Sequence, residues 1–289
     1  MGTLEGKTAL VTGASQSIGL ASARALASDG ARVVIMGRGT DALQEARDGL
    51  LAELPAAKLD LFVGDACDEA ALKTALAFAH GLADRLDVIV PTVGGGVMQP
   101  ILMRDLASVR HEMEVNYLSV FLAIRHGVPL MRAGGSIVCI SSVAVTQAFF
   151  GLGLYGASKA AMERLVRAAA FELGGAGIRI NAVRPGMTVA PDLAESPAFA
   201  EMAAQTPLGR VGMPQDIAEV VRFLAGPEAA WITGQAFSVD GGQDQGKIPD
   251  MMDATFGKSA MDQIRSGKSL PDDAQMPLLA SMSLAPHQA

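Results

Sequence analysis

Between two short apolar runs the chain places a glycine-bounded turn, and that arrangement limits the folds open to it. Lys7-Thr-Ala-Leu-Val-Thr12 runs straight into Gly13-Ala-Ser-Gln-Ser-Ile-Gly19. An Ala-rich helical pattern over Leu20 to Ser28 follows, and Asp29-Gly30 stops it. Arg32-Val-Val-Ile-Met36 is a second apolar run. Strand, turn, helix and strand in that order make a βαβ unit with a right-handed crossover, which implies a parallel sheet. Backbone N–H groups in such a turn, together with the helix N-terminus, point at an anion, so the unit reads as a dinucleotide-binding element.

The alternation continues along the chain. Thr40 to Leu54 reads as a helix, Leu59 to Val63 as a strand, Glu69 to Leu82 as a helix and Val88 to Val90 as the fourth strand. Pro91-Thr-Val-Gly-Gly-Gly96 is then a turn in which backbone can approach a ligand closely. Arg104 to Met131 reads as one long helix containing Asn116, and Ser136 to Ile140 as the fifth strand. A helix from Tyr155, strands over Ile178 to Val183 and Ala236 to Val239, and a helix started by Pro214 complete the pattern. The expected fold is α/β: a Rossmann-type, doubly wound, seven-stranded parallel sheet with helices on both faces. Residues 1–242 form the expected single Rossmann-fold domain, with a lid over about 187–208, and residues 243–289 an extension docked on the body or on a partner subunit.

Two places carry chemistry. Tyr155 and Lys159 are four residues apart, on one face of a helix. Thirteen residues upstream of Tyr155, Ser142 ends the fifth strand. A hydroxyl facing a phenol backed by an ammonium is an acid–base arrangement. At the end of the second strand, Gly37-Arg38 stands where a carboxylate would bind an adenosine 2′-hydroxyl. A guanidinium there accommodates a 2′-phosphate, which favours NADP(H) and leaves NAD(H) possible. Asp65, at the end of the third strand, either contacts an adenine amino group or caps the next helix.

Composition narrows the partners. A net charge of −7 argues against nucleic acid. The uncharged stretch from Ala133 to Ser158 is long enough to cross a membrane, but its Ser, Thr and Gly content argues against a span. The N-terminus has no apolar core of a signal peptide. Cys67 and Cys139 form no C-x-x-C pair and read as free thiols, which suits a cytoplasmic protein. The four histidines have no metal-ligand spacing, so no metal site is expected.

Taken together, residues 4–242 resemble the short-chain dehydrogenase/reductase family in its roughly 250-residue form. The resemblance rests on Thr12-Gly13 with Ile18-Gly19, on Asn116, and on Ser142 with Tyr155 and Lys159. Asn181 with Pro185-Gly186 and the Trp231-Ile-Thr-Gly234 to Asp240-Gly-Gly242 ending extend it. It implies an NAD(P)-dependent oxidoreductase that interconverts a secondary alcohol and a ketone. Tyr155 would be the general acid/base, with its pKa lowered by Lys159 and the oxidised nicotinamide. Ser142 would hold the substrate oxygen, and Asn116 a water that links Lys159 to solvent. Gly13, Ser15, Ser17, Ile18, Gly19, Arg38, Asp65, Ala66, Val93, Gly94, Tyr155, Lys159, Pro185, Gly186 and Thr188 would bind the cofactor.

The chain departs from the family pattern at Ser17, where the family has glycine, and at Pro91-Thr-Val-Gly94, where it has Asn-Asn-Ala-Gly. Val97, Met98, Val143, Val145, Phe149, Phe150, Leu152, Met187 and Leu193 are candidates for an apolar pocket that takes a hydrophobic or cyclic substrate. The family usually forms homotetramers or homodimers. The alternatives are a non-enzymatic dinucleotide-binding regulator or scaffold, and a dehydratase, epimerase or enoyl reductase on the same fold.

Overall fold

In the computed structural model the alternating runs form one sheet of seven parallel strands in the order β3-β2-β1-β4-β5-β6-β7. The structure describes residues 2–190, 192–194 and 196–245, with Ser259, Asp262, Gln263, Ser266 and Gly267 beyond them. Residues 1–244 form one compact unit and residues 245–289 a second. The expected helix near Pro249–Phe256 lies outside the described residues, as does the expected docking of the extension. Of the one near Ser259–Arg265, Ser259, Asp262 and Gln263 are helical.

The elements in chain order are β1 (Thr8–Thr12), α1 (Ser17–Ser28), β2 (Arg32–Gly37), α2 (Thr40–Glu53), β3 (Lys58–Val63), α3 (Glu69–Gly81) and β4 (Leu86–Pro91). Then follow α4 (Leu106–Met113), α5 (Ser119–Gly127), β5 (Met131–Ile140), α6 (Gly153–Leu173), β6 (Arg179–Pro185), α7 (Pro197–Gln205), α8 (Pro214–Ala225) and β7 (Ala236–Val239). Strands β1 and β4 are buried along their whole length, as strands covered on both faces must be. One core layer joins the sheet to α1, α2 and α8 through residues such as Leu26, Leu43, Val221 and Leu224. The opposite layer uses Leu72 and Leu76 of α3, Val120 of α5, and Met162 and Val166 of α6. Because β1 lies between β2 and β4, the chain reverses its direction of winding there, and a crevice opens at the carboxyl ends of those strands.

The long helix expected over Arg104 to Met131 is divided. Asp105 caps α4 by accepting the Ser108 N–H at 2.8 Å, so Arg104 lies ahead of the helix. A π-helical turn over Glu114–Leu118 separates α4 from α5. Asn116 is the physical reason: its Nδ2 donates to Glu112 O at 3.0 Å, so a side chain takes a carbonyl that the helical backbone would otherwise use. At the far end a 3₁₀ turn over Val128–Leu130 closes the helix, and Met131 already belongs to β5. That strand begins five residues before the apolar run, because Arg132, Ala133 and Gly134 are exposed and carry no apolar signal.

Candidate active site

The expected cofactor and catalytic residues converge on one cleft of about 1040 Å³ at the carboxyl ends of the strands. Ser142, Tyr155, Lys159 and every residue expected to bind the cofactor line it; Asn116 does not.

The floor begins at the β1–α1 turn. Gly13 has φ +62°, a left-handed conformation open to glycine, and a Cβ on Gly19 would sit 2.3 Å from Gly13 O. The turn therefore needs both glycines for its shape. Ser17 adopts φ 51°, so the position where the family has glycine holds a side chain in glycine's conformation. Thr92 stands in the departing loop after β4. Its hydroxyl donates to Thr12 O, and its N–H donates to Thr12 Oγ1 at 3.2 Å, which ties the ends of β1 and β4 together.

At the end of β2, Arg38 is largely exposed, with Asp65 4.0 Å away. Asp65 accepts the Cys67 N–H at 2.9 Å. The cap of α3 is Asp68, which accepts the Ala71 N–H at 2.7 Å, so the helix-capping alternative for Asp65 does not hold.

The chemical centre lies where β5 ends and α6 starts. Helix α6 begins at Gly153, which puts Tyr155 and Lys159 in its first two turns. A Cβ on Gly156 would lie 2.4 Å from Ala144 O, so the absence of a side chain lets the helix press against the turn after Ser142. Ser142 Oγ accepts the Ala144 N–H at 3.1 Å, and its hydroxyl faces the Tyr155 phenol, whose pKa it pulls down. Lys159 is buried and donates to Ile140 O at 2.7 Å. Burial pulls its pKa down to about 8 against the upward pull of Cys139 and Glu163. Tyr155 moves the other way from the expectation. Burial raises its pKa, the Ser142 hydrogen bond lowers it, and the Glu112 carboxylate raises it again. With an ammonium weakened by burial, the protein's own groups leave the phenol protonated.

Asn116 is fully buried behind the Gly94–Gly96 backbone. Its Oδ1 accepts the Gly95 N–H at 3.0 Å and its Nδ2 donates to Gly95 O at 2.8 Å. A Cβ on Gly94 would be 2.8 Å from Lys159 Nζ, and one on Gly96 would be 2.7 Å from Tyr155 Cβ. Gly94 and Gly96 thus let the main chain form one wall of the site, a cradle open to a ligand. This cradle, the glycine turn with its helix N-terminus and the exposed Arg38 fit a nicotinamide dinucleotide.

The candidate substrate residues divide. Val97, Met98, Val143, Phe149, Phe150, Leu152 and Met187 line the cleft, whereas Val145 and Leu193 do not. Met202 of α7 also lines it, from within the expected lid segment, and so do His111 and Glu112 of α4. Sequence reading missed these three. Only the four-residue spacing of Glu112 and Asn116 on one helix face could have signalled Glu112.

Known proteins resemble this chain in sequence and in fold. Residues 13–244 match a family model described as enoyl-(acyl carrier protein) reductase. Cis-4-hydroxycyclohexanecarboxylate dehydrogenase of Sinomonas cyclohexanicum is 38% identical, over 82% of this chain and 96% of the relative. A solved 7α-hydroxysteroid dehydrogenase complexed with NADH and 7-oxoglycochenodeoxycholic acid has a TM-score of 0.77 and 33% identity. It covers 83% of this chain and 94% of its own. A short-chain dehydrogenase of Burkholderia cenocepacia J2315 in complex with NADP gives a TM-score of 0.78 and 31% identity, over 84% of this chain and 99% of its own.

The left-handed Ser17 generates a stability prediction. Ser17→Gly relieves strain of about 1 kcal/mol, which in a domain of this size raises Tm by roughly 2–4 °C. Thermal melts of the two proteins read the difference; a lower Tm in the glycine variant would show that the serine side chain holds the turn.

Proposed function

The chain belongs to the short-chain dehydrogenase/reductase family and is an NAD(P)-dependent oxidoreductase for alcohol/ketone pairs, and from that premise we propose that it acts on a hydrophobic or cyclic secondary alcohol, with Tyr155 as acid/base and NADP(H) preferred. The observation that carries the reading is the convergence of Ser142, Tyr155 and Lys159 on a cleft with an apolar wall.

In the oxidative direction Tyr155 takes the proton from the substrate hydroxyl, and in reduction it returns one to the carbonyl oxygen. Ser142 holds that oxygen as charge develops on it. Lys159, fixed by Ile140 O, would hold the ribose of a nicotinamide dinucleotide, and its positive charge favours the tyrosinate. A bound nicotinamide dinucleotide supplies the hydride acceptor and, when oxidised, a positive charge. Gly13, Ser15, Ser17, Ile18 and Gly19 would receive its pyrophosphate, Asp65 and Ala66 its adenine end, and Val93, Gly94, Pro185, Gly186 and Thr188 its nicotinamide end. Asn116 acts by fixing the Gly95 peptide, which supports the wall beside Lys159.

Several observations support the finer points. Exposed Arg38 at the end of β2, with no carboxylate on that loop, favours a 2′-phosphate. Phe149, Phe150, Leu152, Met98 and Met187 suit a ring or alkyl body, in keeping with the cyclic and steroid substrates that the relatives' names give. Segment 187–208, with α7 in it, serves as a lid. Exposed Leu118 and Phe121 around α5 and Phe171 on α6 suit a homotetramer or homodimer. Among the described residues no helix is long and apolar enough to cross a membrane, and the acidic chain with free thiols suits the cytoplasm. Ser142, Tyr155 and Lys159 together favour catalysis over a binding-only role.

Tyr155→Phe is expected to abolish turnover of cyclic ketones, followed at the reduced-nicotinamide absorbance band, while NADP(H) still binds; near wild-type rates would refute the assignment. Arg38→Ala is expected to lower kcat/KM for NADPH by about tenfold or more, with a small change for NADH, the loss of one charge-assisted contact. Steady-state kinetics with both cofactors measures the ratio, and an unchanged preference would remove the 2′-phosphate argument.

A further inference from the structure

Residues 92–100 have no regular secondary structure, yet their backbone is fixed from outside at regular intervals. Gly95 is held at both its N–H and its carbonyl by Asn116. Two residues on, Val97 is held in the same manner by a different pair. Its N–H donates to Glu112 Oε1 at 3.3 Å, and its carbonyl accepts from Arg104 Nη1 at 3.5 Å. Glu112 lies one helical turn before Asn116, so one face of α4 and its π turn grips alternate residues of the loop. Arg104 also donates to Gln99 Oε1 at 3.4 Å and pairs with Glu112 Oε1; both side chains are 3% exposed. Between the two gripped residues, Gly96 packs on the Tyr155 ring.

The pair is more than a loop anchor. Glu112 Oε2 and Arg104 Nε are buried and have no hydrogen-bond partner among the described residues. A buried carboxylate with one oxygen unpaired is costly, and hydrophobic residues of similar volume would stabilise the fold as well or better. Its position explains its presence: Glu112 lines the cleft at the point where the loop turns past Tyr155. We propose that Glu112 and Arg104 are positioning residues that fix the main chain of residues 95–97 against Tyr155 and set the charge that its phenol faces. The proposal rests on Tyr155 as the acid/base.

The charges around the phenol come from each packed element. Lys159 and, one turn further, Glu163 lie on α6; the Ser142 hydroxyl and the Cys139 thiol come from β5 and its end. Glu112 and His111 come from α4, and Arg104 from the turn ahead of it. Lys159 favours the tyrosinate and Glu112 opposes it. Removing the negative charge at 112 therefore lowers the pH at which the phenolate forms.

Two variants separate grip from charge. Glu112→Ala removes both, and kcat for cyclic ketone reduction is expected to fall about tenfold or more while NADPH affinity stays within about threefold. Glu112→Gln keeps an acceptor for Val97 N–H, so most of kcat returns, and the rising limb of kcat/KM against pH in the oxidative direction moves to lower pH. A merely structural role would not move that limb. Wild-type kcat in Glu112→Ala, or an unmoved limb in Glu112→Gln, overturns the proposal. If either variant does not fold, amide hydrogen exchange on the native chain decides: Val97 N–H must be protected, and exchange at the unprotected rate overturns the proposal. That readout needs no turnover, so it stands apart from a failure of Tyr155 as acid/base, which Tyr155→Phe reports.

Discussion

A buried ammonium organises this site. Lys159 gives up water for the Ile140 carbonyl, and its neighbourhood is built to keep the cation tolerable. On one side, Gly94 leaves out a Cβ so that main chain can lie against Nζ. On the other, Glu163, one turn along α6, supplies negative charge. Glu163 is itself locked by the Ser141 hydroxyl at 2.6 Å and by two Arg184 hydrogen bonds at 2.7 and 2.6 Å. That second network joins the end of β5, helix α6 and the end of β6, the three places from which Ser142, Tyr155 and Pro185-Gly186 project. The acid–base centre thus lies between two buried ion pairs, Arg184–Glu163 behind the helix and Arg104–Glu112 behind the loop. Buried pairs contribute little net stability, so their value here is geometric.

Much of the architecture was legible because its physics is local. Buried parallel strands read as continuous apolar runs, and β1, β2 and the second half of β5 did so. Gly13 and Gly19 bounded a turn that no other residue type could form at that spacing. The helix around Asn116 was not legible in detail. Periodicity shows that a segment is helical, but the π turn arises from one amide claiming the Glu112 carbonyl while also gripping Gly95, 21 residues away. The early start of β5 escaped because only Met131 pairs there, with Leu86 of β4, before a register shift leads to the apolar run from Ser136.

The site shows the same division. Tyr155, Lys159 and Ser142 were legible from spacing, as were the glycines of the turn. Arg104, Glu112 and Met202 were not, because their roles exist only through contacts between distant segments. Thr92 was read as a departure from the family's Asn, and in the fold each threonine's hydroxyl bonds the other's main chain, joining the ends of β1 and β4. The direction of the phenol's shift was also out of reach. Proximity to Lys159 argued for a lowered value, but burial of both groups weakens the ammonium and raises the phenol.

The central claim is that the protein's own residues leave Tyr155 protonated, and that the positive charge of an oxidised nicotinamide is what brings it into range. The chain has two tyrosines, Tyr117 and Tyr155, so the difference between the wild type and Tyr155→Phe in phenolate ultraviolet absorbance isolates one phenol. Without cofactor, Tyr155 is expected to titrate above the ordinary value of about 10, and saturating NADP⁺ is expected to shift it to lower pH. A phenol that ionises below about 10 in the cofactor-free protein, or one that NADP⁺ does not move, would contradict the account.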